Sequence, residues 1–359
     1  MSYSVQSLLA KHPVEASAHC SVDSGGTWDI KSMALPFERL RPVTLNICLD
    51  LRTSVILSPY ENGRIKISSR GFSRARDFHK DELRFGPPFG HFFAAVSHFG
   101  FHGLYVRIKS QSPVKSALGG SSTALVALVK ALAEISARLG EKKFSRKEIL
   151  HLAYHLEDGT AGGNCGIQDQ AAAVYGGVNL WEWLYGRRTA PFERRSLLDR
   201  RGQKELSKRL VVAYSGKSHI SSGINRKLIK DFLSGRTRSG WIKVNEIVRC
   251  LARAIEENDW DRAAALLREE MALRRDITPE AMIPITKKLA DQAGRAGCGA
   301  RFAGAGAGCS LWGLGRIKNI RRLRKMWQDT LRPIRGARVL DCEVDPVGVK
   351  IEGCPRMAS

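Results

Sequence analysis

The most informative stretch of the sequence is Pro113-Val-Lys-Ser-Ala-Leu-Gly-Gly-Ser-Ser-Thr-Ala124. It lies between a strand predicted at 104–109 and a helix predicted at 123–139, whose apolar residues recur at helical spacing. A helix start offers free backbone N–H groups and the positive end of the helix dipole, so the amides of 119–121 can bind phosphate oxygens. A glycine-serine turn with Ser121 as the helix cap explains the same residues. The stretch matches neither the Walker nor the Rossmann pattern, and by itself it leaves both interpretations open.

Two carboxylates flank a glycine-rich turn in the stretch Glu157-Asp-Gly-Thr-Ala-Gly-Gly-Asn-Cys-Gly-Ile-Gln-Asp-Gln170. The preceding helix is predicted to start at the cap Ser145, with Glu148 completing a capping box. That helix ends near Glu157, and Asp169 lies at the start of the next one. One carboxylate could bind a metal ion while the other accepts a proton from a hydroxyl, as phosphoryl transfer requires. Isolated carboxylates are more often solvated or cap helices, so it is the glycine turn between them that favours a site.

A second glycine-rich segment is Arg301-Phe-Ala-Gly-Ala-Gly-Ala-Gly-Cys309, with glycines at 304, 306 and 308. Such spacing indicates a backbone that approaches another group closely, but tight packing between a helix and a strand explains it too. On its own the segment is weak evidence for a site.

In this order and at these separations, the three motifs resemble those of the GHMP kinase superfamily, the small-molecule kinases of the galactokinase, mevalonate kinase and homoserine kinase type. The resemblance covers roughly residues 16–352. The stretch 118–122 is similar to the phosphate loop of that superfamily, 166–170 to the segment with its catalytic aspartate, and 301–309 to its third motif.

Other stretches resemble the sugar-kinase branch of the superfamily, especially heptose 7-phosphate kinase and the fucose kinase domain. These are 22–29 and 169–177, while 214–225 is similar to the heptose type. The resemblance implies an α+β fold of two domains with a deep cleft between them. We expect an N-terminal, ribosomal-protein-like α/β domain that binds ATP at 15–205 and a C-terminal, ferredoxin-like domain at 206–355.

The resemblance also implies roles for individual residues in an ATP- and Mg²⁺-dependent transfer to a hydroxyl of a sugar or sugar phosphate. Asp169 corresponds to the catalytic base or orienting residue, and Ser122 and Glu157 to the Mg²⁺ ligands. The residues expected to bind the ATP phosphates are Leu118, Gly119, Gly120, Ser121, Ser122 and Thr123. Those expected to bind the substrate are Gly25, Gly26, Asp29, Lys217, His219, Gly304 and Gly306.

The sequence departs from the pattern of the superfamily at several positions. Ser21 stands where an arginine is usual, Ala117 where glycine is usual and Arg301 where lysine is usual; the further departures are Thr123, Ala303 and Cys309. Alanine fits such a position only where the backbone torsions are ordinary and φ is negative. Because the missing arginine would lie near the catalytic aspartate, a ligand-binding or regulatory protein with weakened catalysis is the alternative hypothesis.

The composition excludes a mainly disordered or fibrous chain. The 359 residues include 43% hydrophobic ones, and 58 Lys+Arg against 35 Asp+Glu give a formal charge of +23. Much of the excess lies in 187–209 and 316–338, which have few aromatic residues, so we interpret them as exposed surface rather than a nucleic-acid site. Eight scattered cysteines without a C-x-x-C pair, and no long apolar segment, favour a cytoplasmic protein with no membrane partner, as a monomer or homodimer.

Local patterns predict two hairpins and a series of helices. Alternation over 42–69 around Glu61-Asn62-Gly63 predicts the first hairpin, and 345–348 predicts a closing one. Further strands are predicted at 178–183 and 210–214. The helices predicted in the second half of the chain lie at 241–257, 259–274, 279–296 and 317–331.

Overall fold

The computed structural model describes residues 4–72, 74–187, 191–217, 221–306 and 310–353. Strands and helices are interspersed along these residues. The strands are β1 (Val14–Ser24), β2 (Val43–Pro59), β3 (Arg64–Ser69), β4 (Arg76–His79), β5 (Leu104–Ser110), β6 (Val178–Trp183), β7 (Phe192–Ser196), β8 (Leu210–Tyr214), β9 (Gly299–Phe302), β10 (Ser310–Leu314), β11 (Arg338–Leu340) and β12 (Lys350–Ile351). The helices are α1 (Val5–Lys11), α2 (Lys31–Ala34), α3 (Gly90–His98), α4 (Gly120–Arg138), α5 (Arg146–Thr160), α6 (Gln168–Tyr175), α7 (Arg200–Ser207), α8 (Ser221–Leu233), α9 (Arg238–Glu256), α10 (Trp260–Ile277), α11 (Pro284–Arg295) and α12 (Ile317–Leu331). Short 3₁₀ helices lie at Leu35–Leu40, Lys80–Glu82 and Pro279–Ala281.

The larger sheet is centred on β1 and β2, which pair antiparallel over the whole length of β1. Its strand order is β12-β1-β2-β5-β3-β4, and β6 and β7 extend it from the first part of β2. Apolar and polar residues alternate along β1, so its two faces differ, and the polar series ends at Asp23. The loop that follows β1 therefore begins with a buried carboxylate.

The hairpin predicted over 42–69 is wrong, although its strands and its turn are present. β5 lies between β2 and β3, antiparallel to β2 and parallel to β3. The turn residues reverse the chain, but local turn chemistry does not determine which strand fills the place beside β2. The closing hairpin at 345–348 is also wrong, because β12 pairs with β1 at the edge of the larger sheet.

The smaller sheet has the order β11-β8-β10-β9 and is antiparallel throughout. In chain order this is strand 4, 1, 3, 2, with α8, α9, α10 and α11 between the first and second strands and α12 between the third and fourth. This is the ferredoxin-like arrangement, and the predicted α+β fold class is confirmed. The predicted division of the chain between residues 205 and 206 stays a prediction.

α4 begins directly at the predicted phosphate loop and packs against β1 and β2. It is the one helix among the described residues that is long and apolar enough to cross a bilayer, and 72% of its apolar stretch is buried inside the protein. Such burial is typical of a helix in a protein core, where a nearly continuous apolar surface contacts a sheet on one side and helices on the other. The cytoplasmic location stays a prediction.

The predicted helices agree with the structure except at one point. The capping box of Ser145 and Glu148 is present, and α12 has the predicted bounds. The helix predicted over 279–296 is interrupted, with a 3₁₀ turn first and α11 starting at Pro284. The ring of Pro284 disfavours helical torsions at Ile283, which is extended at φ −100° and ψ 162°, so the helix can only begin after it.

Candidate active site

A cleft of about 350 Å³ lies where four segments meet. They are the loop after β1, the loop between β5 and α4, the turn between α5 and α6, and the loop after β9. The cleft therefore brings the three motifs of the sequence together with the loop after β1. The residues that line it lie up to 277 positions apart in the chain, from Thr27 to Gly304. The predicted site residues that line it are Asp29, Gly119, Gly120, Ser121, Ser122, Glu157, Asp169 and Gly304.

The N-terminus of α4 points its first amides at this cleft. Gly119 is the N-cap at φ 71° and ψ 20°, and no side chain caps the first turn. Ser121 Oγ instead hydrogen-bonds His91 Nε2 at 3.1 Å, so Ser121 is not the helix cap that the plain-turn interpretation requires. Uncapped N–H groups at the positive end of a 19-residue helix form a binding site for anions.

Asp169 lies in the first turn of α6 and directly faces this loop. A Cβ atom placed on Gly119 would lie 2.9 Å from Asp169 Cγ, so only glycine permits this approach. Burial raises the pKa of the Asp169 carboxyl well above its usual range. Three neighbouring carboxylates raise the same pKa further: Asp23, Asp29 and Glu157. The Asp169 carboxyl therefore lies next to the first backbone amides of α4, in surroundings that favour its protonated form.

Glu157 reaches the cleft from the last turn of α5. Its Oε2 accepts a hydrogen bond from Gln170 Nε2 at 2.7 Å, which holds the carboxylate in place. Ser122, on the first turn of α4, lines the same cleft and is 6% exposed. No set of three His, Cys, Asp or Glu side chains within the described residues is arranged to hold a metal ion. A serine hydroxyl and one carboxylate still fit Mg²⁺, which usually takes one or two protein ligands together with phosphate oxygens and water.

Asp29 closes the other side of the cleft and is 1% exposed. Its Oδ2 accepts the backbone N–H of Gln168 at 2.9 Å, whereas its Oδ1 has no partner. Burial raises the pKa of Asp29 to about 6, and the nearby Asp23 adds to the rise. Two more cleft-lining groups, Gln168 Oε1 and Asn225 Oδ1, also have no hydrogen-bond donor. Three acceptors without donors in one cleft suit a ligand rich in hydroxyl groups.

The loop that carries Asp29 is strained and is held by a buried arginine. Thr27 has φ 76°, a left-handed conformation that is rare for a β-branched residue and costs about 1–3 kcal/mol. Arg274, on α10, donates from one guanidinium nitrogen to the Gly26 carbonyl at 2.8 Å and to Thr27 Oγ1 at 3.3 Å. The Arg274 guanidinium stacks over the Trp241 ring at 4.4 Å. The strain in the loop is therefore supported by contacts from the other sheet's helices.

A fully buried ionic cluster underlies this loop, consisting of Asp23, Glu270, Arg274 and Arg301. Arg301 Nε donates to both oxygens of Glu270 at 3.0 and 2.9 Å, and its NH1 lies 3.0 Å from Asp23 Oδ2. Asp23 Oδ1 in turn accepts the Gly304 N–H at 2.7 Å. The cluster joins the stretch 22–29 at the end of β1, which we call the first motif, to the third motif at 301–309. Sequence reasoning missed Asp23, Glu270 and Arg274 as parts of the site, because nothing in the local pattern links residues about 250 positions apart.

Ala117 shows what the departure from glycine costs. It has φ 60°, so the condition under which alanine fits without strain is not met. A left-handed torsion costs an L-residue about 1–2 kcal/mol. The Ala117 carbonyl lies 3.4 Å from where a Cβ of Gly304 would be, so the phosphate loop and the third motif are in direct contact here.

Several predicted site residues do not line the cleft. Leu118 and Thr123 are buried beside the loop, and Thr123 Oγ1 bonds the Gly119 carbonyl at 2.8 Å. Lys217 is exposed on the surface. Gly25, Gly26 and Gly306 lie behind the cleft wall, and Gly25 donates its N–H to Glu270 Oε1 at 3.3 Å. His219, Gly308 and Cys309 fall outside the described residues, and the roles of all these positions stay predictions.

Comparison with known proteins finds a family match over the part of the chain that contains the phosphate loop and Asp169. Residues 90–177 match the family model of the GHMP kinases N terminal domain. An 80-residue segment is 44% identical to the D-glycero-alpha-D-manno-heptose 7-phosphate kinase of Campylobacter jejuni, covering 22% of this chain and 22% of that protein. The match thus spans about a fifth of the curated relative.

Solved structures extend the likeness to the whole fold. A D-glycero-D-manno-heptose 1-phosphate kinase from Bacteroides thetaiotaomicron superposes with a TM-score of 0.68 at 18% identity, covering 95% of this chain and 99% of that one. The galactokinase of Lactococcus lactis, complexed with galactose, gives 0.72 at 18% identity and covers 95% of each chain. The match to the GHMP kinases N terminal domain at residues 90–177 therefore lies within a fold that the chain shares with these two solved kinases along almost its whole length.

Proposed function

We propose that this protein is an ATP-dependent kinase that transfers the γ-phosphoryl group to a hydroxyl of a sugar or sugar phosphate. The observation that carries the proposal is that Asp169 lies directly beside the uncapped amides of the α4 N-terminus. Any residue other than glycine at 119 would place its Cβ only 2.9 Å from Asp169 Cγ. Asp169 would accept a proton from a hydroxyl, and the amides would neutralise the charge of the phosphate oxygens. Phosphoryl transfer needs both within one cleft.

The proposed nucleotide site runs from the α4 N-terminus to an apolar end of the same cleft. That end is lined by Phe72, Pro88, Phe92, Ile108 and Val114. Phe72 and Val114 are 38% and 45% exposed, which is unusual for large apolar side chains and suits a surface that a planar base would cover. Ser69 and Ser110 add polar groups beside it. ATP would therefore lie with its base in the apolar end and its phosphates at the amides of 119–122.

Ser122 and Glu157 are the residues proposed to hold Mg²⁺. When bound, Mg²⁺ would neutralise phosphate charge and orient the transferred group. The carboxylates that crowd the cleft repel one another, as the raised pKa of Asp169 shows, so the donor set suits a divalent cation. Gln170 holds the Glu157 carboxylate in the cleft through its 2.7 Å hydrogen bond.

Asp169 is proposed to take the proton of the attacking hydroxyl. A base is most effective when its pKa approaches the working pH, and burial among carboxylates moves Asp169 in that direction. Asp29 would fix the substrate by accepting hydrogen bonds from its hydroxyl groups through the unpartnered Oδ1. A sugar is favoured as the acceptor by the three unpartnered acceptors in this cleft and by the sugar kinases among the similar proteins.

The alternative is a ligand-binding protein that kept the fold and lost turnover, and Ser21 is its main argument. The structure gives it little support, since Asp169, Glu157 and Ser122 all line one cleft with the phosphate loop. A coupled assay of ATP consumption against hexoses, pentoses and heptose phosphates separates the two. ATP binding with no turnover on any acceptor would favour the alternative.

Asp169→Asn tests the mechanism, with the exposed Asp329→Asn as a matched control. A general base contributes about 10²–10⁴-fold, so we expect a loss of that size in kcat with nucleotide affinity preserved. Turnover within about threefold of the wild type would remove Asp169 from the mechanism.

Glu157→Gln should weaken nucleotide binding only when Mg²⁺ is present, as measured by titration at several Mg²⁺ concentrations. An equal loss of nucleotide affinity without Mg²⁺ would contradict the proposed role of Glu157.

A further inference from the structure

Outside the cleft, α5 presents two exposed histidines, His151 and His155, on one face. Their spacing of four residues places them one above the other on the helix. The Nε2 atoms of the two rings lie 3.1 Å apart, with ring centroids at 4.2 Å and an angle of 63° between the planes. Both nitrogens thus converge on one point at the surface of a regular helix.

We propose that His151 and His155 form a two-histidine binding site for a divalent transition-metal ion of the zinc, nickel or copper class. Two nitrogens 3.1 Å apart, each about 2.05 Å from a shared ion, subtend an angle of about 98° at that ion. This value lies between the roughly 90° of square-planar or octahedral and the roughly 109° of tetrahedral coordination. The rings therefore need little movement to chelate an ion, and in its absence one Nε2–H donates to the other Nε2.

The surroundings of the pair indicate what kind of site this is. Asp158, three residues after His155, is the acidic residue whose charge acts on that ring, but its Oδ1 accepts the Cys165 N–H at 3.2 Å and its Oδ2 lies 3.8 Å from Lys31 Nζ. No third ligand joins the two histidines among the residues that the structure describes. Water must then fill the remaining coordination positions, so the site is open and exchangeable.

Two neutral imidazoles select against hard cations. Imidazole suits zinc, nickel and copper, whereas Mg²⁺ demands oxygen ligands. The site is therefore distinct in chemistry from the proposed Mg²⁺ position at Ser122 and Glu157, although Glu157 lies only two residues beyond His155 on the same helix. An ion that clamps one turn of α5 and binds only the folded protein would raise its melting temperature.

Calorimetric titration of the untagged, chelator-treated protein with Ni²⁺, Zn²⁺ and Cu²⁺, without nucleotide or sugar, tests the proposal. We expect one site that binds Cu²⁺ more tightly than either Ni²⁺ or Zn²⁺, with no uptake of Mg²⁺ at the same concentrations. His151→Gln and His155→Gln should each weaken Ni²⁺ binding at least tenfold, and the exposed His98→Gln on α3 should leave it unchanged. A Ni²⁺ site that both variants retain with wild-type affinity overturns the proposal. Because the titration requires no phosphoryl transfer, its result is independent of the proposed kinase activity.

Discussion

Replacing Glu270 by glutamine tests the buried ionic cluster that joins the first and third motifs. Glu270 is 0% exposed, and both of its oxygens accept hydrogen bonds from Arg301. The cluster as a whole holds two arginines and two carboxylates, so it is neutral. Glutamine keeps the shape of the side chain but removes its charge, and Arg274 and Arg301 are then left with Asp23 as their one buried counter-charge.

The magnitude follows from the burial of all four groups. Removing one partner of a buried ion pair costs about 3–5 kcal/mol, because the remaining charge has neither water nor a counter-ion. With an unfolding entropy of about 2.1 cal/mol/K per residue over 359 residues, this cost lowers the melting temperature by about 4–7 °C. The first-motif loop should loosen as well, since the Gly25 N–H loses a charged acceptor at 3.3 Å.

Denaturant unfolding and thermal melting measure the effect. Glu269→Gln is the matched control, because Glu269 is the exposed neighbour on the same helix and should change stability by less than about 0.5 kcal/mol. The double variant Glu270→Gln with Arg301→Gln should lose less than the sum of the two single losses, since it removes one charge of each sign. A Glu270→Gln protein within about 1 kcal/mol of the wild type, or additive single losses, would refute the reasoning.

Three further predictions concern single residues in the cleft or in contact with it. Because burial raises the pKa of Asp29 from 3.8 to about 6, its contribution to stability is present below about pH 4 and is lost as the pH rises through about 6. The free energy of unfolding of Asp29→Asn, relative to the wild type, should therefore rise by about 2–3 kcal/mol between pH 4 and pH 7, and a gap independent of pH would contradict this. Ala117→Gly should stabilise the protein by about 0.5–1 kcal/mol in urea unfolding, as relief of the left-handed torsion outweighs the added chain entropy, whereas Ala117→Val should destabilise it. His91→Gln should raise the KM for ATP about fivefold through loss of the hydrogen bond to Ser121, with kcat nearly unchanged; an equal KM would show that the bond does not orient the loop.

Local signals in the sequence predict most of the individual elements. The capping box at Ser145 and the apolar face of 317–331 depend on neighbours within a few residues, so they can be read directly. Strand pairing cannot, because β5 comes to lie between β2 and β3 through contacts that no turn residue encodes. The turn at 61–63 predicts a hairpin over 42–69, but the two strands that it connects do not pair with each other.

The residues of the candidate site also fall into two groups, those that the sequence motifs predict and those that only the structure reveals. Gly119, Glu157 and Asp169 belong to motifs, and their convergence could be expected from the resemblance alone. The residues that support them could not: Arg274 and Glu270 lie on a helix with no motif, and they reach the first-motif loop only after the two sheets have come together. Ala117 is intermediate, since its departure from glycine is visible in the sequence while its positive φ is not.

The net charge of the protein and the charge of its cleft have opposite signs. The chain carries +23, yet among the described residues the cleft is lined by three carboxylates, Asp29, Glu157 and Asp169, and by one basic side chain, Lys115. The excess lies elsewhere; the exposed side of α12, for example, carries Lys318, Arg321, Arg322 and Lys325. Charges on that surface act across water and salt and are screened beyond about 8–10 Å, so they cannot offset the repulsion that a bare nucleotide would meet inside the cleft. A divalent cation within the cleft can offset this repulsion. The proposed activity should therefore depend steeply on the Mg²⁺ concentration and only weakly on ionic strength.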